Sequence, residues 1–137
     1  MVKKLAELPE IQDRLVAELE EKLNGVDPES DAYYDLVVGG CPLLEAVIKE
    51  TLRMESLVPR VQRRVGVDGY ELAGVKLEKD TEVDVAVNAL HYDARYYPEP
   101  EVFRPERFLP ENRHQLVPYT FLPFGDGPRN CGWPSKF

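Results

Sequence analysis

The sequence predicts a mainly α chain with a small β region, an α+β class, on three observations. Apolar residues recur at helical spacing in two stretches, Ile11, Leu15, Leu19 and Leu23, then Leu43, Leu44, Val47, Ile48, Thr51 and Leu52. Val83, Val85 and Val87 alternate with Glu82, Asp84, Ala86 and Asn88, the period of a half-buried strand. Eight of the 12 prolines lie beyond Asp93, which forbids long regular elements there.

In chain order, Val2 to Leu8 reads as the last turns of a helix ended by Pro9, because the residue before a proline is biased away from helix. Pro9 then opens a second helix, with Glu18, Glu20, Glu21 and Lys22 on its wet face and Asn24-Gly25 as its stop. Residues 26–40 are acidic and turn-rich and read as an exposed connection. Pro42 suits the first turn of a third helix. Gly69, Gly74 and Lys79-Asp80 mark turns in the β region that follows. The stretch containing His91, Asp93, Tyr97, Pro98, Pro100 and Phe103 reads as irregular loop, and a loop of that length calls for a functional reason.

At 137 residues the chain is one domain at most, and 43% hydrophobic content is enough for a core. A net charge of -8 argues against nucleic acid, which demands a basic footprint. No apolar run approaches a membrane span, and no signal-like core follows Met1, so targeting is not readable here. Cys41 and Cys131 could pair but are expected to be reduced, with Cys41 leading into the Pro42 helix.

The chemistry concentrates in three motifs. Phe124-Gly125-Asp126-Gly127-Pro128-Arg129-Asn130-Cys131 surrounds one cysteine with glycine, proline and arginine. The glycines open backbone angles closed to other residues, Pro128 stiffens the loop, and a nearby cation and backbone amides favour thiolate over thiol. Read alone, Cys131 is either a presented metal ligand or an inert thiol in a tight turn. Glu50 and Arg53 are three apart on one helix face, which by itself reads equally as a solvated ion pair. Pro105-Glu106-Arg107-Phe108 is the third motif.

Together, in this order and spacing, the motifs resemble the cytochrome P-450 superfamily: its Glu-x-x-Arg helix, its Pro-Glu-Arg-Phe segment and its haem-binding loop. The resemblance implies that Cys131 is the axial thiolate of a haem iron, with Arg60, Phe124 and Arg129 around the cofactor. It implies a buried network in which Glu50 is shared by Arg53 and Arg107, and a substrate border at Leu57, Val58 and Val61. Residues 1–137 would form one partial domain, the C-terminal third of the family's fold, running from the end of the central helix through the meander to the haem loop. The implied activity is insertion of one oxygen atom from O2 into a lipophilic small molecule, with electrons from NADPH through a reductase. The implied location is the cytosolic face of the endoplasmic reticulum membrane, reached through parts outside this chain.

Departures from the family pattern shape the expectations further. Glu55 and Ser56 stand where a hydrophobic residue and proline often follow the arginine, which weakens transfer of a substrate class. After the cysteine, Gly132 is adjacent, Trp133 fills the usual glycine position and Pro134 lacks an N–H that could serve the sulfur. The expectation is therefore a monooxygenase by family whose isolated 137-residue chain is inactive. The alternatives are a non-catalytic haem-binding fragment or a truncated gene product.

Overall fold

Leu8, extended at φ -132°, separates helix α1 (Val2–Glu7) from helix α2 (Pro9–Leu23), and Pro9 occupies the first turn of α2, where its missing N–H costs nothing. The structure, a computed structural model, describes residues 1–131, so the departures noted at Gly132, Trp133 and Pro134 lie outside the described residues. Ile11 and Leu15 of α2 are buried against Leu43 and Val47 of helix α4 (Pro42–Met54), with Leu5, Leu8, Leu19, Leu44 and Phe103 completing the cluster. A second cluster joins Ala46 of α4 to Tyr97 and Phe108. Thus α4 packs on two sides, and the meander covers the side away from α2.

The connection before α4 is more ordered than its composition suggests. Ser30 caps a short helix α3 (Asp31–Asp35) by accepting from Tyr33 N at 3.1 Å, and Asp31 adds a negative charge in the first turn. Leu36–Gly40 follows as a π turn. Cys41, 2% exposed, then leads into α4.

No side chain of its own caps α4. Glu18, reaching across from α2, accepts from Leu43 N at 2.8 Å and Leu44 N at 3.0 Å, so one carboxylate satisfies two of the helix's free donors and faces its positive end. Replacing Glu18 with alanine should therefore destabilise the chain by about 1–2 kcal/mol, the size of a lost cap, although Glu18 lies in another helix. Glu18→Gln should recover part of that loss. Urea denaturation of the three chains measures both.

Two antiparallel pairs make the β region. Strand β1 (Val61–Arg64) pairs with β4 (Glu82–Val85), setting Val61 opposite Val85 and Arg64 opposite Glu82. Strands β2 (Tyr70–Leu72) and β3 (Val75–Leu77) form a separate hairpin. The expected strand alternation ends early. Val87 is not a strand residue but opens helix α5 (Val87–His91), where full burial of Val87 and His91 on one face favours the helical turn over another strand residue. His91 accordingly closes a helix and does not lie in irregular loop. Beyond it, among the described residues, the proline-rich stretch forms helical turns only of the 3-10 type, at Pro105–Phe108 and Pro110–Gln115, each begun by its proline.

Candidate functional site

The buried face of α4 turns from apolar to charged along the helix. Its repeat carries Leu43, Ala46 and Val47 inward and then continues with Glu50 and Arg53, both 0% exposed. Arg53 meets the carboxylate as a fork, Nε donating to Glu50 Oε2 at 2.8 Å and Nη2 to Oε1 at 2.9 Å. Its remaining N–H groups reach the carbonyls of His91 and Pro100, each at 2.8 Å. Glu50 Oε1 also accepts from the backbone N of Arg104 at 2.9 Å. The pair thus holds the meander to the helix through main-chain groups, which side-chain motifs alone do not reveal.

Arg107 joins this cluster differently from the shared-fork expectation. Its Nε lies 3.4 Å from Glu50 Oε1, an ion pair without a hydrogen bond, while its Nη2 donates to the carbonyl of Glu99 at 2.8 Å. Both Glu50 oxygens already accept from Arg53, and Oε1 also from the Arg104 amide, so Arg107 adds an ion pair and no further hydrogen bond. Burial pushes the Arg107 guanidinium down from its ordinary range; Glu50 opposes that, and Arg104 and Arg53 add repulsion.

His91 was not among the site residues expected from sequence, yet it is fully buried between α4 and the segment leading to Cys131. Its Nδ1 lies 3.1 Å from Arg53 O, and its Nε2 accepts from Leu122 N at 2.9 Å. The ring stacks on Phe121 at 5.6 Å and meets Tyr97 edge-on at 6.3 Å.

The cysteine loop closes on its own backbone. Cys131 N donates to Phe124 O at 2.9 Å, and Asn130 N to Gly127 O at 3.1 Å. Gly125 and Gly127 take φ of +75° and +79°, angles costly for any other residue. A Cβ on Gly125 would stand 3.6 Å from Val61 Cγ2, so β1 backs the loop, and Arg63 Nη2 donates to Asp126 O at 3.0 Å from the same strand. Cys131 itself is a free, exposed thiol. Arg63, which no motif singles out, is a loop anchor.

The remaining expected residues fall around this loop to different degrees. Phe124 is half-buried and supplies the closing carbonyl. Arg129 is exposed and borders a cavity lined by Gln62, Arg63, Arg64 and Glu82. Arg60 pairs with Asp84 across the strands at 3.3 Å, both side chains open to solvent. Val58 and Val61 are half-buried, whereas Leu57 is 73% exposed. Glu50, Arg53 and Arg107 are brought together; Leu57 and Arg60 are placed by nothing more than the chain and one weak surface pair.

A family profile described as Cytochrome P450 matches residues 1–132. The chain belongs to the cytochrome P-450 family. Among curated proteins it is 44% identical over 128 residues to Cytochrome P450 3A31 of Mesocricetus auratus, a match covering 93% of this chain. Cytochrome P450 3A16 of Mus musculus is 41% identical and Cytochrome P450 3A9 of Rattus norvegicus 42%, each over 127 residues. The chain spans about a quarter, 24%, of the length of these relatives.

Cytochrome P-450 membership makes this an oxidoreductase family of haem monooxygenases, and haem is the cofactor the fold implies. The donor set is compatible with it. Among the described residues no three His, Cys, Asp or Glu side chains gather around a bare ion. An exposed thiol on a hydrogen-bonded glycine turn instead suits a metal that brings its other ligands in a macrocycle. Arg129, in the loop itself, and Arg63 and Arg64 of β1 put positive charge beside it, as a cofactor bearing carboxylates calls for. Among the described residues no helix is long and apolar enough to cross a membrane.

Proposed function

We propose that this chain is the haem-thiolate part of a monooxygenase that inserts one oxygen atom from O2 into a lipophilic small molecule. The observation that carries the reading is the Cys131 loop: an exposed thiol on a turn locked by Phe124 O and backed by Val61 and Arg63 of β1. Haem, when bound, supplies the oxygen-activating iron chemistry, and its electrons come from NADPH through a reductase. Cys131 Sγ would hold the haem iron. Arg129 and Arg60 receive the propionates; the Arg60–Asp84 pair is exposed and therefore weak enough to exchange for a carboxylate of the cofactor. Phe124, whose carbonyl closes the loop on Cys131 N, would pack against the bound haem. Glu50, Arg53 and Arg107 fix the meander that delivers the loop, and Leu57, Val58 and Val61 border the substrate. The exposed Leu57 is then an apolar surface awaiting a partner.

The whole protein acts at the cytosolic face of the endoplasmic reticulum membrane, held there by segments other than these residues. A second reading is a haem-binding chain without turnover. Activating oxygen requires a pocket that excludes bulk water and delivers protons. The 137-residue chain alone should accordingly give no oxidised product with NADPH, a microsomal reductase and lipophilic substrates, with catalase present, while the parent protein does. Sustained product that Cys131→Ser abolishes in the short chain would refute this division of labour.

A further inference from the structure

We infer that His91 is a positioning residue that ties Leu122, and through it the Phe124–Cys131 loop, to the backbone of α4. Its two ring nitrogens face partners with opposite demands. Leu122 N can only donate, so Nε2, 2.9 Å away, presents a lone pair. Arg53 O can only accept, so Nδ1, 3.1 Å away, carries the hydrogen. One neutral tautomer satisfies both, and an imidazolium would set a second donor against the Leu122 amide. The clasp is reciprocal, because Arg53 Nη1 in turn donates to His91 O at 2.8 Å.

Leu122 is the right residue to hold. Its carbonyl accepts from Gly125 N at 3.2 Å, and Cys131 N returns to Phe124 O, so the anchored residue begins the run of turns that closes on the cysteine. Phe121, the preceding residue, stacks on the His91 ring and leaves it little freedom. One imidazole therefore links the buried Glu50–Arg53 pair to the start of the cysteine loop, while Arg63 of β1 holds its middle. That the loop carries a haem ligand rests on the function proposed above; the tie itself does not.

The charged and titratable groups facing the ring are Arg53, with Glu50 behind it on α4, and Tyr97 edge-on from the meander. Burial lowers the His91 pKa from its ordinary value, the Arg53 carbonyl opposes that by accepting from the ring, and the Arg53 charge adds to the lowering. Since the unfolded chain then binds the extra proton more readily, the neutral ring's contribution is complete above the ordinary histidine value and fades as pH falls toward the folded one.

The test is amide exchange and side-chain nitrogen spectroscopy on the labelled 137-residue chain. His91 Nε2 should show the unprotonated signature with a scalar coupling to Leu122 N, and Leu122 protection should fall on acidification through the range where the ring titrates. In His91→Phe, which keeps an aromatic ring for Phe121, Leu122 should exchange at least about tenfold faster while the amides of α4 stay protected. His91→Gln, whose amide oxygen can accept in place of Nε2, should recover part of the protection. Cys131→Ser should leave every one of these readouts unchanged, so loss of the haem reading and loss of the tie are separable. An Nε2 proton, an unprotected Leu122 in the parent chain, or equal exchange in parent and His91→Phe would overturn the inference. So would loss of α4 protection in both His91 variants, which would make His91 a general core residue.

Discussion

Replacing Cys131 with serine should remove the red-shifted Soret band of the reduced, carbon-monoxide-bound haem complex, and replacing Cys41 with serine should leave it in place. The two thiols differ in setting. Cys131 is exposed at the end of a hydrogen-bonded turn, whereas Cys41 is 2% exposed at the start of α4. Burial pushes the Cys41 thiol up, and the Glu18 carboxylate pushes it further, with Lys22 opposing. A thiol held protonated in the core is a poor iron ligand, because the thiolate is the ligating species. The absorbance of the haem-reconstituted chain, and of the parent protein, measures both substitutions. A band that survives Cys131→Ser and vanishes with Cys41→Ser would reverse the assignment.

Replacing Arg53 with methionine should destabilise the chain by about 3–5 kcal/mol, since it leaves the Glu50 carboxylate buried without its main partner. Domains of this size are stable by only about 5–15 kcal/mol, so the loss approaches unfolding. Arg53→Lys should recover less than half. One ammonium keeps the charge but cannot serve both Glu50 oxygens and the carbonyls of His91 and Pro100 together. Arg107→Lys should cost much less, because Arg107 meets Glu50 only as an ion pair at 3.4 Å and spends one N–H on Glu99 O. Urea midpoints of the three variants give the ranking. Equal effects of Arg53→Lys and Arg107→Lys would mean that charge, not the fork, holds the meander.

The helices were legible wherever proline and apolar spacing agreed. Pro9 and Pro42 begin α2 and α4 at the expected residues, and Ile11, Leu15, Leu43 and Val47 are indeed core. The short α3 was missed because residues 26–40 lack an apolar stripe, although Ser30 followed by Asp31 is a cap signal that composition overshadowed. At Val87 the alternation misled, because period two over so few residues does not distinguish a strand from the first turn of a buried helix. Glu50 and Arg53 illustrate a deeper ambiguity. Their spacing suits a wet helix face as well as a dry one, and only the resemblance favoured burial.

By itself the sequence determined the elements whose causes are local: where prolines start helices, where glycines let the cysteine loop turn at positive φ, and which three motifs stand in family order. Tertiary structure alone decided what those motifs touch. The partners of Arg53 are main-chain carbonyls 38 and 47 residues away, the cap of α4 comes from Glu18, and the loop is held by Arg63 and His91. The reason is physical. A side chain's type records what it can donate or accept, but a buried backbone carbonyl or amide is present at nearly every residue, so which of them is left needing a partner is settled only when the chain packs.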